Sequence, residues 1–384
     1  MVFLVNVARV VYAPLVEPLR AAFGVGPGTI GLVVTLAWVG SALPRIPTGY
    51  LLTYVPRHYV VLGAGSVLAL SSLFATTADS VVMLAVGALC MGLASGSYFV
   101  AANPLVSELY PDRVGRALGV HGTASQIGAV LAPAIVTVAL LAGSWRFVFG
   151  AIAFAALAST VFIYRAARRT TLPAASGVDR NFGGAIRAEW RLILLGVAIL
   201  ATAGFVWQGV FNFYVSYLEA TKAVDEGTAR NLLTIVFAAG VPAFWVSGRL
   251  VDRLPTVPYL FAAIASFVVC LFALTFVRGF VALIVVTAAL GYTIHSLFPA
   301  MDAFLLSSLP DANRGSAYAV YSGVMMLLVA PGSWVVGELV ELGIGYDLVF
   351  QGFGFCLTGV LVVLIGLHRI DRLPGVRRSE SAAF

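Results

Sequence analysis

Twelve runs of about 20 mostly apolar residues follow one another along this chain, and little else. A helix needs that length to cross the hydrocarbon core of a bilayer. Only helices and closed barrels satisfy their backbone hydrogen bonds there, and runs this long and continuous select the helix. The runs lie near 2–23, 28–53, 58–77, 81–109, 115–141, 145–168, 190–219, 227–250, 257–277, 280–308, 315–338 and 346–368. The interruptions are short and carry helix breakers: "GVGPG", "YVPRH", "YPDRVG", "LPTVP" and "LPDANRG". Composition agrees. The 384 residues are 60% hydrophobic and 10% charged, against about 25% charged in a soluble domain, and the mean hydropathy is +0.99. The fold class expected is an all-α membrane protein.

A longer polar stretch, 169–189, separates the sixth span from the seventh. It reads as a linker between a first unit, 1–168, and a second, 190–370; residues 371–384, "RLPGVRRSESAAF" and its lead-in, read as a polar tail. Basic residues set the orientation. With the N-terminus inside, sixteen arginines fall in inner loops. Five basic residues fall in outer ones (Arg20, Arg146, Lys222, Arg230, Arg278). The positive-inside rule therefore places both termini in the cytoplasm, and the expected location is the cell (inner or plasma) membrane. No cleavable signal peptide is evident. Cys90, Cys270 and Cys356 all sit in apolar runs and imply no disulfide framework. The scattered positive charge, net +6, does not suggest a nucleic-acid partner. The sequence carries no nucleotide-binding motif, metal cluster or catalytic triad, so neither enzyme activity nor a cofactor is expected.

The two halves repeat at an offset of 199 or 200. Gly28-Thr29 pairs with Gly227-Thr228, Thr35 with Thr234, Gly49 with Gly248, and Pro56 with Pro255. Pro111-Asp112 pairs with Pro310-Asp311, and Gly115, Ala117 and Val120 with Gly315, Ala317 and Val320. One register held through five spans makes the protein six helices, a linker, and six related helices.

On this repeat, "SGRLVDRLP" (247–255) resembles the signature loop after the second helix of each half in the major facilitator superfamily. "TGYLLTYVPRH" (48–58) is its counterpart, with Thr53 where that family usually has aspartate. "ELYPDRVGRALG" and "LPDANRGSAY" resemble the family's loops after the fourth and tenth helices. The resemblance implies two pseudo-symmetric bundles of six helices, a substrate site between them near the midplane, and alternating access by rocking. It also implies a monomeric secondary transporter. A gating role follows for Arg57, Glu108, Arg113, Asp252, Arg253 and Arg314: ion pairs at helix ends that hold the cytoplasmic side shut, with Glu108 the expected partner of Arg57 or Arg113.

Arg9 and Arg45 lie inside spans. An Arg at a helix centre costs at least about 2.5–3.5 kcal/mol, so it faces a cavity or a partner and marks a pathway. Two guanidiniums at one site favour an anion, which they grip through paired hydrogen bonds. The pattern resembles the organophosphate, organic-anion and nitrate/nitrite branches of the superfamily. However, Trp207 stands near one expected second arginine, and Phe244 stands opposite Arg45. "Anion" carries over; "phosphate" and "nitrate" do not. The expected function is therefore transport of a small organic anion, coupled to a proton or to a counter-substrate.

Other polar residues complete the expected site. Tyr12 shares the face of Arg9. Gln208, the repeat mate of Arg9, sits one turn from Asn212. Asn103 is the mate of Asp302, and His121 and Tyr321 offer further contacts, with Tyr214, Tyr217, Tyr318, Ser322 and Met325 nearby. Asp302 is the first candidate for proton coupling and His295, seven residues earlier on the same face, the second. Glu17 and Arg20 suit an outer rim. The rival readings are proton-driven efflux of drugs, for which "GAVLAP" (128–133) is a partial motif, and a lipid-handling or non-transporting protein of the same fold.

Overall fold

The computed structural model describes residues 1–170, 172, 182–251, 253–310, 314–370, 372 and 373. Its helices, in chain order, are α1 (Val2–Val10), α2 (Tyr12–Phe23), α3 (Pro27–Ala42), α4 (Arg45–Leu51), α5 (Arg57–Thr76), α6 (Val81–Leu109), α7 (Val114–Leu141), α8 (Arg146–Ala167), α9 (Phe182–Asn212), α10 (Tyr214–Lys222), α11 (Glu226–Val251), α12 (Thr256–Phe276), α13 (Phe280–Ser308), α14 (Arg314–Val329), α15 (Gly332–Glu341) and α16 (Tyr346–Arg369). Eleven helical segments are long and apolar enough to cross a membrane, and the bent pair α1–α2 makes twelve.

The boundaries follow local chemistry. Gly24 ends α2 in a left-handed conformation, φ 62°, which a side chain would resist. Pro27 opens α3 at a position whose N–H has no helical partner. Ser80 caps α6 by accepting from the Met83 amide. Asp225 caps α11 through the Thr228 amide, and the Thr228 hydroxyl and amide together hold its carboxyl below the usual range. Pro56 and Pro255, repeat mates, precede α5 and α12. Of the expected linker, 169–189, residues 169, 170, 172 and 182–189 are described. Helix α9 begins at Phe182, and the chain turns out of helical geometry at Glu189 (φ −116°) before the span proper.

Among the described residues four spans are interrupted along their length, and all four face the opposite half. The first bends by 46° between α1 and α2, where Pro14 cannot donate to the Val10 carbonyl. The second breaks at Leu43-Pro44, between α3 and α4. The seventh breaks at Phe213, and the eleventh at Ala330-Pro331.

Helices α3 and α15 close one end of the groove between halves. A Cβ added to Gly31 would stand 2.6 Å from the Ser333 carbonyl oxygen, and Gly337 packs as closely against the Pro27 carbonyl. Small residues let membrane helices meet backbone to backbone. Polar contacts sew the same seam. The Thr35 hydroxyl donates to the Ala330 carbonyl at 3.1 Å and accepts from the Trp334 amide at 3.2 Å. The Gly28 amide donates to Glu341 at 2.9 Å. Nearby, Glu17 and Arg20 pair at 2.9 Å.

Candidate functional site

Below this seam a cavity of about 680 Å³ lies between the halves. Its wall draws on α1, α3, α4, α6 and α7 from one side, and on α9, α11, α13 and α14 from the other. It runs to the level of Gly49, Thr53 and Arg57, at the helix ends next to residues 52–56.

Arg9 sits on its wall. Its guanidinium lies between the rings of Trp38 (4.9 Å) and Phe99 (4.8 Å), a placement that lowers the cost of a desolvated cation. One nitrogen donates to Asn6 Oδ1 at 2.7 Å, another to the Ser41 hydroxyl at 3.4 Å. Asn6 is held in turn by donating to the Ser125 carbonyl at 2.7 Å. Arg45, set just after the Pro44 break, donates to the Ser41 carbonyl at 3.4 Å. Across the gap it donates to the Ser322 hydroxyl at 2.6 Å. Ser41 thus touches both arginines. Among the described residues no carboxylate lies within 4.0 Å of either one, and no Asp or Glu lines the cavity. Both guanidiniums rest on neutral acceptors, so their charge is solvated but not neutralised.

The opposite wall is aromatic. Trp207 and Phe211 from α9, Phe237 and Phe244 from α11, and Phe298 from α13 line it together with His295. Asp302 is not on this wall; it accepts from the hydroxyl of Tyr318, which is on the cavity wall, at 2.9 Å.

Among the residues expected from sequence, Arg9, Arg45, Asn103, His295 and Arg57 line the cavity. Five others do not. Tyr12 is fully buried in the first half, its hydroxyl against Met91 and its ring against Phe149. The bend at Val11 turns it away from the face of Arg9. His121 stacks beside Tyr98 and bonds its hydroxyl at 3.1 Å. Gln208 and Asn212 are sealed between α9 and α15, where Asn212 donates to the Gln208 carbonyl and to Ser333, both at 2.9 Å. Tyr321 packs toward Gly196 on α9, and its neighbours Tyr318 and Ser322 face the cavity in its place. Tyr214 bonds Thr287, and Tyr217 donates to Leu274 and Asp347, so both belong to the core of the second half.

At the helix ends Arg57 pairs with Glu108 at 2.8 Å. Arg113 and Arg253 are exposed and form no ion pair among the described residues. Asp252 and the side chain of Arg314 lie outside the described residues. The three cysteines are free, and among the described residues no cluster of His, Cys, Asp and Glu forms a metal site. Sequence reading passed over Asn6, Trp38, Ser41, Phe99 and Gln126. Asn6 stands one turn before Arg9 and Ser41 one turn before Arg45, so their spacing was the available signal.

The family model described as Major Facilitator Superfamily matches residues 1–333, and again 221–382. The chain belongs to this superfamily. A relative named as a purine ribonucleoside efflux pump, NepI of Escherichia coli O157:H7, is 26% identical over 356 residues, 91% of this chain and 87% of its own. YwfA of Bacillus subtilis (strain 168), an uncharacterized MFS-type transporter, is 20% identical over 375 residues, 95% of this chain and 87% of its own. In structure, a bacterial homolog of the human lysosomal transporter Spinster, in an inward-facing and occupied conformation, superposes with a TM-score of 0.77. It covers 97% of this chain and 95% of its own at 14% identity, so it speaks for the fold alone. As a superfamily member the protein is an integral membrane secondary transporter. Its family and fold are those of transporters, not enzymes. The superfamily's loop signature sits here at residues 48–58 with Thr53 in the acidic position. The Thr53 hydroxyl bonds the Tyr50 carbonyl at 2.8 Å, and Arg57 takes Glu108 as its carboxylate.

Proposed function

We propose that this transporter carries a small organic anion with an apolar body. The observation that carries the reading is a cavity holding Arg9 and Arg45 with no acid among the described residues of its wall. Two cations held on neutral partners repel each other, and the repulsion grows as closure of the gap expels water. An anion between them removes that penalty, so occupancy favours passage through the closed state. Catalysis of transport then follows from binding the intermediate better than the open state. Asn103 supplies a further polar contact, and the aromatic wall takes the apolar body.

The halves, about 1–168 and 190–370, move as two bodies, and the protein works as a monomer. With both termini in the cytoplasm of a cell that holds it in its inner or plasma membrane, the seam of α3 and α15 is the outer gate. The conformation is then inward-facing, and the Arg57–Glu108 pair lies on the cytoplasmic side. Arg45 releases Ser322 on α14 when the halves part. Asp302 couples a proton to the cycle. Ionised, it offers Arg45 a substitute counter-charge; protonated, it leaves that role to the substrate. His295 takes a role in substrate contact rather than in coupling.

A second reading is export of a nucleoside-like solute. It is favoured by the relative named for purine ribonucleoside efflux and by aromatic walls with Asn6, Asn103 and Gln126 close by. A thermal-shift screen of purified protein against carboxylates, phosphates, nucleosides, amines and lipophilic drugs separates the two. Stabilisation by acids supports the first reading. Stabilisation by neutral nucleosides and not by acids supports the second.

A further inference from the structure

The cavity is chemically divided. Its cationic end is Arg9, whose guanidinium lies over Trp38. From Trp38 a ladder of rings leads across the gap: Trp38 to Phe211 at 6.2 Å, Phe211 to Trp207 at 5.2 Å, and Trp207 to His295 at 5.4 Å. Phe237 and Phe244 close round the same imidazole at 6.1 and 6.0 Å. The far end of the ladder is therefore an aromatic box around the imidazole, with the Gln126 amide beside it at Gly240.

The hydrogen bonding of the imidazole is one-sided. His295 Nδ1 lies 2.7 Å from the Gly291 carbonyl. A carbonyl only accepts, so Nδ1 carries the hydrogen. In the neutral ring Nε2 is then a bare acceptor. The ring makes no other hydrogen bond among the described residues, and Nε2 is not sealed in the interior but opens on the cavity. The ring has little freedom to turn away. Gly240 supports its back, where an added Cβ would stand 2.7 Å from the imidazole.

We infer that His295 is the specificity residue at the apolar end of the site: its Nε2 selects, among aromatic acids, those carrying a hydroxyl or N–H at the end of the ring remote from the acid group. Resting on the anion reading above, this names the substrate class as hydroxylated or N–H-bearing aryl acids. The acid group sits at Arg9, the ring lies along the ladder, and the donor reaches the box. A ligand without the donor leaves a desolvated acceptor unmatched, and a site built to bond a donor rejects such an analogue.

The test uses calorimetric titration of the purified protein with three acids: 3-phenylpropionate, 3-(4-hydroxyphenyl)propionate and 3-(4-methoxyphenyl)propionate. The hydroxyl acid should bind about tenfold more tightly than the parent, the net value of one buried hydrogen bond. The methoxy acid, an acceptor without a donor, should gain nothing. In His295→Phe, with His295→Leu as a second variant where the first does not fold, the ratio of hydroxyl-acid to parent-acid affinity should fall to about one. Equal binding of parent and hydroxyl acids, a gain for the methoxy acid, or a preference surviving in either variant overturns the inference and leaves the anion reading standing. Loss of all binding in both variants also overturns it, because the ring then only packs. Failure of all three acids to bind overturns the anion reading, and this inference falls with it.

Discussion

Replacing Arg9 by glutamine removes one cation from the cavity and keeps a hydrogen-bonding side chain. The structure sets the size of the effect. The guanidinium is buried, 8% exposed, wedged between two rings, and has no carboxylate partner among the described residues. An anion bound to it gains a charge-assisted bond worth about 1.5–3 kcal/mol. Coulomb attraction near 4 Å at an effective dielectric of about 20 is worth about 4 kcal/mol before desolvation. A net loss of about 2–4 kcal/mol is expected, or roughly 30- to 1000-fold in affinity. Folding should suffer little. Asn6 and Ser41 lose a donor, but the protein also sheds an un-neutralised buried cation and its repulsion with Arg45. Arg9→Lys keeps the charge and loses the fork, so an intermediate loss of about tenfold is expected. The assay is uptake of a labelled acid into proteoliposomes, paired with titration of the detergent-solubilised variant and its melting temperature. Unchanged affinity in Arg9→Gln refutes the reasoning, as does equal loss for acids and neutral solutes.

Three further outcomes are expected. Gly31→Leu drives a side chain into the α15 backbone; overpacking costs about 1–3 kcal/mol, so spin labels at the N-terminal end of α3 and the C-terminal end of α15 should separate and uptake should fall at least tenfold. Asp302→Asn should leave binding of the acid within about threefold but abolish the response of uptake to an imposed pH gradient, and an intact response rejects the coupling role. Glu108→Gln removes the carboxylate facing Arg57 at 2.8 Å; a loss of about 1–3 kcal/mol is expected, read as a lower melting temperature or a shift in the accessibility of a cysteine placed at Thr53.

The spans were legible because apolar length is a direct physical requirement of the bilayer, and their ends fell at glycines and prolines that the helix cannot pass. Arg9 and Arg45 were legible for the same reason in reverse: charge is costly there unless a cavity receives it. The rest of the site depends on rotation. Periodicity says which residues share a face, not what that face meets. Tyr12 lost the face of Arg9 at the Val11 bend, and Gln208 and Asn212 turned into the α9–α15 contact although Trp207 and Phe211, their chain neighbours, reached the cavity. The aromatic wall had no sequence signal. In an apolar span a phenylalanine serves lipid or cavity equally well: Phe154 is 76% exposed and Phe211 only 2%, and nothing local distinguishes them.

The most direct measurement compares an acid with its uncharged isostere on the unmodified protein. Titrating 3-phenylpropionate and 3-phenylpropionamide at low and high salt isolates the charge while size and ring stay constant. If the two guanidiniums read an anion, the acid binds at least about thirtyfold more tightly than the amide, and the difference narrows without vanishing when salt is raised, because Arg9 is buried in the wall while the cavity is open to bulk ions. Equal affinities, or a preference for the amide, contradict the account.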